Sequence, residues 1–98
     1  MQQQVQIAGM AWFEEDDYES FRRVLPDRQW HATFAEWEAA AKQGFQRIEN
    51  QGVRAIKAKA RSAEFVAWCT AAGRNVDTQA LLAFANEAAI REVMGSQG

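Results

Sequence analysis

The stretch VRAIKAKAR, residues 53–61, decides how this chain is read. As a strand it gives the molecule a mixed architecture; as a helix it merges with its neighbours into an all-α bundle. Val53, Ile56 and Ala60 fall at helical spacing, so periodicity does not separate the two readings in so short a run. The flanks favour the strand. Asn50-Gln51-Gly52 closes one helical pattern and Ser62 opens another, leaving about nine residues, an ordinary strand length but a marginal helix. In that strand Lys57, Lys59 and Arg61 share one face and Arg54 takes the other, with a change of phase near Ala55 and Ile56. Val53 and Ile56 are its only strong core residues, which places it at or near an exposed sheet edge.

Upstream lies the clearest local signal of the chain. Thr33-Phe34-Ala35-Glu36 is a capping box, in which the Thr hydroxyl accepts from the N–H three residues on and Glu36 reaches back. The helix it opens runs to about Asn50, with Phe34, Trp37, Ala41, Phe45 and Ile48 as its apolar stripe and Glu38 with Lys42 as an i, i+4 pair. Gly44 lies inside it and permits close packing of a neighbouring aromatic. Downstream, Ser62 caps a short helix lined by Phe65, Trp68, Cys69 and Ala72, and Gly73 supplies the left-handed exit. Asp77 caps a final helix, about residues 78–94, whose main face is Leu81, Leu82, Ala85, Ala88, Ala89 and Val93. Phe84, Ile90 and Met94 fall outside that arc, the pattern of a helix buried on two sides or meeting a second subunit.

At the N-terminal end, odd-numbered Val5, Ile7, Ala11 and Phe13 read as a strand, best formed over residues 10–13. The acidic run Glu14-Glu15-Asp16-Asp17 follows, with Asp16 as N-cap and Glu19 three residues on. Tyr18, Phe21 and Leu25 then share a helical face that Pro26 ends. A single domain spans residues 1–98, with residues 1–9 as an upstream extension or cloning remnant ahead of Met10, and 95–98 as a frayed tail.

Composition is that of a globular domain: 48% hydrophobic, 24% charged, with four Trp among 98 residues. A net charge of −2 argues against a surface that is electrostatic platform throughout. The charge is nonetheless uneven. Residues 1–49 hold five Lys/Arg against nine Asp/Glu, and residues 50–98 six against four. One cysteine excludes an internal disulfide framework and suits a reducing cytoplasm, and no apolar run approaches a membrane span.

No catalytic set is visible. Cys69 lies on an apolar helix face with no base in its pattern, His31 is a lone histidine beside Trp30, and there is no Gly-rich phosphate loop, HExxH or CxxC. The acidic run lacks the ligand spacing of a calcium loop, so neither metal nor cofactor is expected. Candidate binding residues are the basic strand set Arg54, Lys57, Lys59 and Arg61, and the element-end residues Trp12, Trp30 and His31. The aromatic rings beside Arg28 or His31 are placed to line a ligand pocket.

Taken together, TFAEWEAAAKQGFQRIENQG (33–52), EFVAWC (64–69) and ALLAFANEAA (80–89) resemble small bacterial proteins of accessory genome regions, such as integron gene cassettes and other mobile elements. Those proteins have no established activity, so the resemblance implies a bacterial cytoplasmic setting and assigns no residue a role. The expectation is an α+β domain of order β-α-α-β-α-α, with two strands and four helices. Its expected core is Phe21, Leu25, Phe34, Trp37, Phe45, Ile48, Ile56, Phe65, Trp68, Leu81, Leu82 and Ala85. Its expected role is a non-catalytic binding module acting as a homodimer, with an acidic protein as a further partner. The alternatives are a nucleic-acid accessory protein using residues 54–61 and a small-ligand-binding protein.

Overall fold

Residues 54–59 are a strand, and the chain has the α+β order expected of it. The computed structural model describes residues 6–95. They run through β1 (Ile7–Trp12), a 3-10 turn (Glu15–Asp17), α1 (Tyr18–Val24), α2 (Phe34–Asn50), β2 (Arg54–Lys59), α3 (Ser62–Ala71) and α4 (Thr78–Gly95). β1 and β2 form a two-stranded parallel sheet. The parallel sense follows from the connection, because α1 and α2 carry the chain back to the end from which β1 started.

Register runs without interruption from Ile7 opposite Arg54 to Trp12 opposite Lys59. The expected change of phase near Ala55 and Ile56 is therefore absent, and simple alternation already separates Arg54 from Lys57. One sheet face carries Ile7, Gly9 and Ala11 with Arg54, Ile56 and Ala58; the other carries Ala8, Met10 and Trp12 with Ala55, Lys57 and Lys59. The first face meets α4. A Cβ built on Gly9 would overlap the Ala85 carbonyl oxygen and stand 2.9 Å from Ala89 Cβ, so strand and helix touch backbone to backbone. The second face meets α2, where a Cβ built on Gly44 would stand 3.4 Å from the Met10 methyl. The neighbour beside Gly44 is thus a methionine rather than an aromatic ring.

Phe13, just past β1, is the hub of the core, with ring centroids 4.6 Å from Phe21, 4.8 Å from Trp37 and 5.3 Å from Trp30. Of the expected core, Phe21, Leu25, Trp37, Phe65, Leu81 and Ala85 are buried, while Phe34, Phe45, Ile48, Ile56 and Trp68 are half-buried. Leu82 is 58% exposed, and Phe84 is buried in its stead. A helix apolar on more than one side does not announce which arc faces the sheet; the close approach at Gly9 selects the arc of Ala85 and Ala89.

The local stop and start signals behave as their chemistry requires. The Glu36 N–H donates to Thr33 Oγ1 at 3.1 Å, and the Ala80 N–H to Asp77 Oδ1 at 2.8 Å. Gly73 takes φ +67°, letting the Arg74 N–H reach the Cys69 carbonyl at 2.9 Å as α3 ends. Asp16 does not cap α1; a 3-10 turn precedes that helix and no side chain caps it. Ile7, Ala8 and Gly9 belong to the paired strand, so the fold begins ahead of Met10. Val5 and residues 96–98 lie outside the described residues.

Gly9→Ala is expected to cost at least about 2 kcal/mol in urea unfolding, because the new methyl meets backbone that has no rotamer to yield. An unchanged midpoint would show that α4 can move away from β1.

Candidate functional site

The residues singled out from the sequence divide among three environments. Lys57 and Trp12 come together on the α2 side of the sheet. The Lys57 ammonium stands 4.6 Å from the Trp12 ring centroid and 5.3 Å from that of Phe45, a cation held between two aromatic faces. Lys59 pairs in register with Trp12 and is exposed. Arg54 is exposed on the opposite sheet face, in register with Ile7.

Arg61 lies past the end of β2 and turns to the acidic run. Its Nη1 donates to Glu14 Oε2 at 2.7 Å and to Asp16 Oδ1 at 3.0 Å, and its Nη2 to Asp16 Oδ2 at 3.3 Å. The hydrogen bonds that Arg61 donates lower the Asp16 pKa below its usual 3.8, and acceptance of them by Asp16 and Glu14 raises the guanidinium pKa. Two of the four run carboxylates are thereby tied to one cation. Asp17 has a separate role. Its buried carboxylate accepts from the Ser62 N–H at 2.6 Å and from Ser62 Oγ at 2.8 Å, capping α3 from across the fold. Ser62, expected as the cap, is instead the first residue of α3 and a donor to that cap.

Trp30 is half-buried, its Nε1 donating to the Leu25 carbonyl at 2.8 Å. His31 is exposed, and its backbone carbonyl accepts from the Tyr18 hydroxyl at 2.8 Å. Next to them stands a residue that sequence reasoning placed only as a neighbour of the rings. The Arg28 guanidinium carbon lies 4.8 Å from the Trp30 ring centroid and 5.1 Å from that of Phe13. Its Nη1 is buried and has no hydrogen-bond partner among the described residues, and burial pushes the pKa of the group below the ordinary guanidinium value. Arg28 also lines two cavities of about 270 Å³ each. One lies between the Leu25–Arg28 turn and the start of α4, beside Asp27 and Asp77. The other lies along the outer edge of β1 between α2 and α4. No local motif marks Arg28; the only available signal was a cation two residues before a tryptophan.

Cys69 is fully buried, and burial raises its thiol pKa. No helix among the described residues is long and apolar enough to cross a membrane.

These features define a small α+β domain with a charge-tied turn and an arginine-bordered cavity. Comparison of the chain with protein families, with curated proteins and with solved structures finds no match.

Two outcomes test the charge assignments. Asp17→Ala should destabilise the fold by roughly 2–3 kcal/mol in chemical denaturation, since it leaves the α3 N-terminus and Ser62 without their acceptor. The Asp16–Arg61 contact stabilises the fold above the unfolded-state pKa of Asp16 and is lost as pH falls through the lower native value. An NMR titration should therefore place the Asp16 midpoint below 3.8 and return it towards that value in Arg61→Met. A midpoint that does not move in the variant would sever the link.

Proposed function

We propose that this protein is a non-catalytic binding module that works as a symmetric homodimer joined along the solvent side of α4. The observation that carries the reading is the exposure of three large apolar side chains on one helix: Leu82 at 58%, Ile90 at 52% and Met94 at 69%. Single exposed apolar residues are common on folded proteins, but a row of them on a helix already packed on its other side marks an interaction face.

A second copy suits this face better than an unrelated partner, because the row is self-complementary. Leu82, Asn86, Ile90 and Met94 are spaced at i+4, so an antiparallel copy sets Leu82 of one protomer against Met94 of the other. Glu87 and Arg91 flank the row as a 3.7 Å ion pair, and the same rotation brings each near its opposite on the other protomer. Asn86, the polar member of the row, already accepts from the Gly9 N–H at 2.9 Å.

The separation of Arg54, Lys57, Lys59 and Arg61 weighs against one phosphate-tracking strip over residues 54–61. Their exposed cations suit guarding the outer edge of β2. The cytoplasmic setting goes with this proposal through the free thiol of Cys69, and the accessory-genome affiliation rests on the resemblance in layout alone.

A helix-only contact sits at the low end of stable interfaces, so assembly is expected at micromolar concentration. Sedimentation velocity should give a dimer by about 100 μM, and Ile90→Glu with Met94→Glu a monomer with unchanged circular dichroism. A wild-type monomer at about 500 μM would overturn the proposal.

A further inference from the structure

Arg28 poses a problem of charge. A buried guanidinium ordinarily has a carboxylate or a full set of acceptors, because desolvating a cation without them is costly. Here the guanidinium carbon stands over the rings of Phe13 and Trp30, but ring faces do not replace the oxygen acceptors that its N–H bonds require. Nη1 is left without a partner, and among the described residues Arg28 forms no ion pair. The Trp30 ring is itself fixed by its hydrogen bond to Leu25, so the cation sits on a rigid support.

The two cavities that Arg28 borders differ in sign. The one beside Asp27 and Asp77 is lined by carboxylates and disfavours an anion. Among the described residues, the one along β1 has Arg28 as its only charged lining residue and Thr78 as its only other residue with a polar side chain. Its walls are otherwise apolar, with Met10, Trp37, Ile48 and Leu81 prominent. Its floor is the free edge of the sheet. The Arg54 N–H bonds to Gln6 and the Ala60 N–H to Trp12, which puts even-numbered residues on the shared side of the ladder and turns the Ala11 N–H outward.

We infer that this cavity binds a small monocarboxylate with an apolar body, the carboxylate on Arg28 and the body against Trp37, Ile48 and Leu81. One guanidinium and one hydroxyl match the planar, singly charged carboxylate better than a phosphate, which calls for more donors. A volume of about 270 Å³ lies just under the usual range of small-molecule sites and suits a ligand of roughly ten non-hydrogen atoms. Leu82 lines this cavity and also belongs to the α4 row of the proposed dimer, but the dimer test changes Ile90 and Met94 and leaves Arg28 and Leu82 untouched, so either reading can fail alone.

The experiment is calorimetric titration of the full chain, with tryptophan fluorescence as a second readout. The probes are phenylacetate and 4-methylpentanoate, each against its amide, and acetyl-Gly-Leu as free acid and as amide. At least one acid should saturate in the millimolar range or below, with its amide at least about tenfold weaker. Arg28→Met should weaken that acid by a similar factor, and Arg28→Lys less. Tighter binding of acetyl-Gly-Leu than of the free acids would assign the carboxylate to a peptide C-terminus, and the reverse order to a metabolite. No saturation by any acid up to about 20 mM, equal binding of acid and amide, or unchanged binding to Arg28→Met would each overturn the inference. The acid-to-amide comparison on the wild-type chain stands even where Arg28→Met does not fold.

Discussion

The close approach of β1 to α4 at Gly9 is the constraint on which the rest of the structure depends. A two-stranded sheet has too little surface of its own to be stable, and gains its stability from the layers on its faces. On one face that layer is α4, and it lies close because Gly9 has no side chain and Ala85 and Ala89 have small ones. Asn86, one residue beyond Ala85, reaches the outward Gly9 N–H and so satisfies part of the strand edge from the helix itself. The position of α4 then determines where its first turn falls, and with it the cavity between Thr78, Leu81 and the outer edge of β1.

A second tie acts at the far end of the strands. The turn after β1 and the start of α3 are distant in sequence, and charged and polar side chains join them. Arg61 grips Glu14 and Asp16, while Asp17 caps α3 through Ser62. The Arg61 contacts are exposed, and such ion pairs contribute little in water. The buried Asp17 carboxylate differs, because its two short hydrogen bonds satisfy helix donors that would otherwise be left open. The acidic run is thus an assembly device for the turn.

Much of this architecture was legible in the sequence because its signals are local. Thr33, Asp77 and Gly73 act through hydrogen bonds that span a few residues, so their types at those spacings identify the helix ends directly. The strand over residues 54–59 followed from its flanks. What could not be read were the choices made between elements. Asp16 and Asp17 are equal candidates for a local cap, and only the return of Arg61 and Ser62 from the far end of β2 gives each its partner. Leu82 and Phe84 are equally apolar, and only the glycine opposite α4 decides which is buried. Alternation along the strand already set Arg54 apart from Lys57 and Lys59, but nothing local showed that Arg61 falls beyond the strand end and turns to Glu14 and Asp16. Arg28 carried no pattern, since its character comes from two rings supplied by different segments.

The composition of α4 carries the argument one step further. A helix that served only the core of this domain would turn its largest apolar residues to the sheet and leave its small or polar ones outside. On the sheet side α4 does the reverse at the point of closest contact, placing Ala85 and Ala89 there because Gly9 admits nothing larger. Leu82, Ile90 and Met94 then stand on the outer side with more than half of each side chain exposed, where they add less to the stability of a lone chain and raise its tendency to associate. Large apolar groups at these positions fit the dimer proposed above, in which the outer side of α4 is covered by a second copy.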